Sequence, residues 1–171
     1  GSEYCSNVCC MNTVKSTLML KEHYPDMDIK VFYIDIRAFG KGFEQFYHRA
    51  KIEGKVNFIK GKPSHIEEDA ASKDLILHVE NVATGKTEKI RTQLAILSEA
   101  VVPSADSHDL AKILEVKTDK RGFFSARDAC GDPISSDREG IFLCGCSSGP
   151  KDITDSIAEA SGAAIRAAQF L

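Results

Sequence analysis

The feature that most constrains this chain is the run Cys5-Ser6-Asn7-Val8-Cys9-Cys10, which holds three of its six cysteines. Two adjacent cysteines cannot both face one packed core, so packing alone leaves the run unexplained. Three thiols this close, just ahead of a helix, can converge on one metal centre. A thiolate-rich site selects zinc, copper(I) or an iron–sulfur cluster. A complete cubane cluster takes four cysteine thiolates, so the run is one ligand short. A zinc site would need a fourth ligand too, and the nearest histidine is His23. Away from the run, Cys144 sits in an apolar stretch and reads as a small buried hydrophobe, and Cys130 reads as a loop thiol.

Composition narrows the class. A chain of 171 residues, 43% hydrophobic and 27% charged, is long enough to bury a core without disulfide staples. A net charge of −3 gives no footprint for nucleic acid or an anionic membrane. No apolar run approaches the ~18 residues of a membrane span, and no signal peptide is seen. The expected location is the cytoplasm, where clustered cysteines read as metal or redox chemistry rather than as disulfides. Gly1-Ser2 reads as the scar of an expression tag, and no methionine precedes Tyr4, so the chain reads as a piece of a longer protein.

Residues 9–24 read as a helix with Met11, Val14 and Leu18 on one face, ended by Pro25. Residues 28–36 read as a largely buried strand, and residues 43–53 as a second helix with Phe43, Phe46, Tyr47 and Ala50 on one side and Gly54 as its stop. A short strand over 56–59, a turn at Gly61-Lys62-Pro63 and a further strand over 64–67 follow. Residues 75–82 and 87–91 read as a hairpin turning at 83–86. The wholly apolar run 94–97 fits a strand buried on both faces, though a buried helical turn reads the same. Beyond it the pattern predicts a short helix over 109–114 and an extended segment over 116–124 turning at Arg121-Gly122. Residues 126–139 read as irregular, 140–144 as a strand, 145–150 as a loop and 152–171 as a long helix capped by Asp152 or Thr154. This order predicts an α/β fold with a mainly parallel sheet.

Three pieces carry a resemblance: Cys5-Ser-Asn-Val-Cys9-Cys10, Tyr33-Ile-Asp-Ile-Arg-Ala-Phe-Gly-Lys-Gly-Phe-Glu-Gln-Phe-Tyr47, and Gly140-Ile-Phe-Leu-Cys-Gly-Cys-Ser-Ser-Gly-Pro-Lys-Asp-Ile153. On these the chain resembles the A subunit of heterodisulfide reductase, a flavin and iron–sulfur protein, from Tyr4 to its end. The resemblance implies a Rossmann-like, thioredoxin-reductase-like nucleotide-binding domain over 9–98, preceded by the cysteine-motif entry over 1–8. The C-terminal return of an FAD domain would occupy 99–171. The glycine fingerprint that seats a dinucleotide pyrophosphate on a helix N-terminus is missing, since no G-x-G-x-x-G occurs. The family places a 4Fe-4S cluster there instead, which carries over Cys5, Cys9 and Cys10 as ligands with a fourth outside the chain.

The same resemblance implies FAD contacts at Gly145, Cys146, Lys151, Asp152 and Ile153. Cys146 stands where related reductases carry an aspartate, and a thiol is the weaker hydrogen-bond partner. The helix beginning near Asp152 would aim its positive end at the flavin. Lys15 is expected to approach the flavin's redox edge and tune its potential. FAD is expected to bind poorly to this piece alone, and the piece to be inactive. The implied activity is electron transfer within a larger oxidoreductase, including flavin-based electron bifurcation. Implied partners are other heterodisulfide reductase subunits and an electron-donating hydrogenase or dehydrogenase subunit, with a homodimer as a further expectation. The competing expectation is a degenerate nucleotide-fold module for subunit docking, without cofactor. A pyridine-nucleotide oxidoreductase is disfavoured by the missing fingerprint. Arg37, Lys41 and Glu44 read as structural, and the remaining histidines are assigned no role.

Overall fold

Apolar side chains at helical spacing place the first helix, α1 (Cys9–His23), where the sequence predicts it. Val14 and Leu18 are buried against Ala50 of the second helix, α2 (Phe43–Ile52), with Met11, Phe46, Tyr47 and Phe58 packed around them. Gly54 follows α2 because a Cβ there would lie 2.8 Å from the Ala50 carbonyl oxygen. The computed structural model describes residues 2–171, and Gly1, half of the Gly1-Ser2 scar, lies outside them. The described residues divide into two units, Cys9–Glu99 and residues 2–8 together with Ala100–Leu171.

The Cys9–Glu99 unit is mixed α/β. Its sheet runs β1 (Lys30–Tyr33), β2 (Asn57–Glu68), β3 (Leu75–Asn81) and β4 (Lys86–Thr92) in that order. Only β1 and β2 pair in parallel; β2–β3 and β3–β4 are antiparallel. The expectation of a mainly parallel sheet is therefore corrected, because the tight turns that join these later strands allow only antiparallel neighbours. Tyr47 docks α2 on the sheet, its ring edge-on to Phe58 at 4.8 Å. Burial, and then Tyr33 beside it, pushes the Tyr47 hydroxyl's pKa up.

Three sequence expectations fail in this unit for physical reasons. The strand predicted over 28–36 is four residues long and none of them is buried, since β1 is an edge strand with a neighbour on one side only. Gly61-Lys62-Pro63 is not a turn but lies within the 12-residue β2. There β2 changes partners: residues 57–60 pair with β1, and Gly61 onward pairs with β3. A Cβ on Gly61 would lie 2.3 Å from the Glu80 carbonyl oxygen, so glycine is what admits the close approach. The register shifts between Pro63 and His65, and such an irregularity tolerates proline's missing N–H. Third, residues 94–97 form no strand; Leu94, Ile96 and Leu97 are 70%, 75% and 70% exposed. The Thr92 hydroxyl donates to the Leu94 carbonyl at 3.1 Å as the chain leaves β4, and among the described residues no strand pairs with it.

The other unit is built on short elements and aspartate-bonded turns. It contains α3 (Ser107–Leu114), the hairpin β5 (Ala126–Asp128) and β6 (Asp132–Ser136), and α4 (Ile153–Phe170). The segment expected to be extended over 116–124 closes on itself through a Thr118–Phe124 bridge. Asp119 holds its turn by accepting from the Arg121 and Phe123 N–H groups at 2.8 and 3.0 Å. The hairpin stands where an irregular stretch was expected; Asp128 accepts from the Cys130 and Gly131 N–H groups at 2.9 and 3.0 Å and makes its turn. The strand expected over 140–144 is reduced to one bridge, Ser135 to Phe142, with bonds from Leu143 N–H to the Ile134 carbonyl and from Ser136 N–H to the Ile141 carbonyl. β6, only five residues long, offers no longer edge. Of the two caps considered for α4, Asp152 serves, accepting from the Asp155 N–H at 2.8 Å.

Candidate cysteine and flavin-side site

The entry segment belongs to the unit that contains α4. Ser6 is buried, and its hydroxyl accepts from the Val101 N–H at 2.9 Å. The Tyr4 hydroxyl donates to the Val101 carbonyl at 2.8 Å, and its ring meets Phe123 edge-on under the Arg121 guanidinium. These contacts fix the backbone around Cys5. Asn7 follows with a φ of 59°, in the left-handed region that asparagine tolerates. Its N–H donates to the Cys5 sulfur at 3.4 Å, and its side-chain amide donates to the Pro150 carbonyl at 2.9 Å.

Cys9 and Cys10 open α1 in the other unit. Their sulfurs lie 4.0 Å apart, about twice a disulfide bond length. The Cys10 thiol faces the Asp35 carbonyl at 3.8 Å. A helix N-terminus favours negative charge beside it, which suits thiolate ligands. The donor type therefore fits an iron–sulfur cluster. Among the described residues, no three His, Cys, Asp or Glu side chains are gathered closely enough to hold a metal ion.

The second group lies where Gly145–Ser148 forms a single 3-10 turn ahead of α4. Gly145 has a φ of 61°, and its N–H is taken by the Glu159 carboxylate at 2.8 Å. Lys151 folds inward, donating to Ser148 Oγ at 2.9 Å and the Gly145 carbonyl at 3.4 Å and pairing with Glu159 at 3.5 Å. Cys146 is exposed and donates to the Lys151 carbonyl at 3.6 Å. Asp152 is occupied as the α4 cap, and Ile153 is exposed. Lys15 is exposed on α1, in the other unit. Cys144 is half-buried and Cys130 exposed.

Sequence reasoning missed Asn7 and Glu159. Asn7 carries one weak signal, a residue tolerant of left-handed backbone between two cysteines. Glu159 carries none, because its partners are set by how α4 packs. It also passed over His65, Glu67 and His78, which cluster across β2 and β3: His78 meets Glu67 at 2.9 Å and the two imidazoles lie 5.6 Å apart. That hydrogen bond with His78 is the first cause of the Glu67 carboxyl's lowered pKa.

Comparison with known proteins places the chain first by class: its relatives are reductase subunits, and it matches a part of them. No protein-family model matches the chain. The iron-sulfur A subunit of the CoB–CoM heterodisulfide reductase of Methanocaldococcus jannaschii is 40% identical over 164 residues, covering 96% of this chain and 25% of that protein. The A subunit of the ferredoxin:CoB-CoM heterodisulfide reductase of Methanosarcina acetivorans is 39% identical over 171 residues, 100% of this chain and 21% of that protein. The A subunit of the H(2)/formate:CoB-CoM heterodisulfide,ferredoxin reductase of Methanococcus maripaludis is 40% identical over 164 residues, 96% of this chain and 25% of that protein. This chain is a homologue of one section of the A subunit of heterodisulfide reductase, and it spans about a quarter of the length of these curated relatives. Among the described residues no helix is long and apolar enough to cross a membrane.

Proposed function

We propose that this chain is the C-terminal section of the flavin and iron–sulfur core of a heterodisulfide reductase A-type subunit, and that it serves electron transfer. The observation that carries the reading is the cysteine run itself, inside a chain that is 40% identical to a relative named an iron-sulfur subunit. Cys5, Cys9 and Cys10 supply three thiolates of a 4Fe-4S site whose fourth ligand lies outside the run. A cluster there would pass single electrons. Residues 9–98 are read as a thioredoxin-reductase-like inserted domain and 99–171 as the return of an FAD domain.

Gly145, Cys146, Lys151, Asp152 and Ile153 are proposed to form one wall of the FAD pocket, supported by their place on one turn and the capped start of α4. Lys15 is proposed to tune the flavin potential, supported by its exposure on the helix that Cys9 and Cys10 begin. Electron bifurcation is the finer form of the proposal; the M. maripaludis relative's name pairs a heterodisulfide with ferredoxin, and its mention of H(2) and formate supports a hydrogenase or dehydrogenase partner. The proposed location is the cytoplasm. The alternative, a docking module without cofactor, is favoured by the exposed apolar residues Leu94, Ile96 and Leu97.

Anaerobic iron–sulfide reconstitution tests the choice, on this chain and on the whole subunit that contains it. The readouts are iron content and low-temperature EPR after reduction. A four-iron signal in the subunit, lost in Cys9→Ser, is the expected result. No iron in either protein overturns the cluster reading and leaves the docking module.

A further inference from the structure

Asn7 makes two contacts at once. Its N–H donates to the Cys5 sulfur at 3.4 Å, and its side chain reaches 143 positions along the chain to the Pro150 carbonyl at 2.9 Å. Asn7, Cys5 and Pro150 belong to the same unit. The left-handed backbone at Asn7, with a φ of 59°, aims both groups. On its N-terminal side, Ser6 is buried and bonded to Val101, so the Cys5 segment is held from both directions.

We propose that Asn7 is a positioning residue: it fixes the hydrogen bond on the Cys5 sulfur and ties that sulfur to the loop running from Gly145 to Pro150. The redox part of this inference rests on the reading of Cys5 as a cluster ligand given above. Hydrogen bonds to cysteine sulfurs are among the controls on an iron–sulfur cluster's potential. An N–H donor stabilises the more negative, reduced state and so raises the potential. The side-chain bond to Pro150 keeps that donor in place. The property of the cysteine site is thereby coupled to the position of the loop on the proposed flavin side.

Two variants separate the tether from the backbone conformation. Asn7→Asp keeps the shape and the tolerance for left-handed backbone, but it removes the donor and sets a carboxylate against the Pro150 carbonyl. Asn7→Gly keeps the backbone freedom and removes the tether. The first readout needs no cofactor: the iodoacetamide alkylation rate of Cys5 in this chain, by mass spectrometry, with exposed Cys130 as the internal reference. Because the thiolate is the attacking species and this N–H stabilises it, Cys5 should react several-fold more slowly in both variants with Cys130 unchanged, while circular dichroism reports an intact fold. The second readout is the cluster's reduction potential in the reconstituted whole subunit, by EPR-monitored titration. It should fall in both variants.

An unchanged or faster Cys5 rate in both variants overturns the tether, whatever the cluster does. A slower rate with an unchanged potential overturns the redox coupling. A slower rate in a protein that forms no cluster, wild type included, supports the tether and overturns instead the electron-transfer reading on which the coupling rests.

Discussion

The two units of the chain hold themselves together by different means. Cys9–Glu99 has a helix pair packed through Val14, Leu18 and Ala50, and one sheet of four strands. The unit that carries α4 has short elements and closes its turns with carboxylates. Asp119, Asp128, Asp132 and Asp137 all have lowered pKa values. Burial pushes Asp119 up, but the Arg121 and Phe123 N–H groups and the Arg121 guanidinium together outweigh it. The Gly131 and Cys130 N–H groups lower Asp128; Ser135 is the main partner of Asp132 and Lys117 that of Asp137. The lesson is that the first unit depends on apolar volume, whereas the second depends on the ionisation of side chains that hold backbone. The proposed flavin-side residues sit in the second unit and Lys15, Cys9 and Cys10 in the first.

The largest effect should come from the apolar core. Leu18→Ala removes a buried side chain and should cost about 2–5 kcal/mol in the Cys9–Glu99 unit. Hydrogen exchange should show α1 and α2 losing protection while the amides of β5 and β6 keep theirs. Equal loss in both units would break the comparison. Gly61→Val comes next. Its side chain would press on the Glu80 carbonyl, and overpacking of this kind costs about 1–3 kcal/mol. Faster exchange confined to β2 and β3 is the expected readout.

Acid should separate the units in the opposite sense. A carboxyl whose folded pKa is depressed contributes stability that is fully present above its unfolded value, ordinarily 3.8 for these aspartates. That stability is lost as pH falls through the lower folded values. Below about pH 4, methyl NMR signals of Val116 and Leu143 should lose dispersion before those of Val14 and Leu18. Simultaneous loss would argue that the aspartate turns are not what holds the second unit. The smallest effect is expected at Asp69. Hydrogen bonds from the Ser72 N–H, then the Arg91 guanidinium, hold it at about 2. Because Arg91 is exposed and Asp69 only half-buried, Asp69→Asn should move the urea midpoint less than either substitution above, while shifting the amide resonances of Ala71 and Ser72 that lose their carboxylate acceptor.

The legible parts of the fold are those with strong periodicity or a plain turn between two strands. Met11, Val14 and Leu18 mark α1, and the hairpin of β3 and β4 turns where its glycine stands. Illegible parts reverse a local signal for a long-range reason. Gly61 and Pro63 look like turn residues and serve a strand that exchanges partners. Asp128 and Asp132 look like polar loop and bracket a hairpin. Leu94, Ile96 and Leu97 look buried and are exposed. In the candidate site, the cysteines and the Gly145–Ser148 turn stand out by residue type. Their ties to Pro150 and Glu159 do not, because a hydrogen bond across 143 positions leaves no pattern in either partner's neighbourhood.

By itself the sequence determined the residue chemistry: three thiols within six positions, no dinucleotide fingerprint, and the helices whose apolar faces repeat every three or four residues. Those are local properties, decided by side-chain type and backbone preference over a few turns. The tertiary structure decided which strand pairs with which, which apolar run stays in water, and which carbonyl Asn7 holds. Each of those depends on groups far apart in the chain meeting at a few ångströms, and hydrogen-bond and steric energies that steep are settled only when the whole unit has packed.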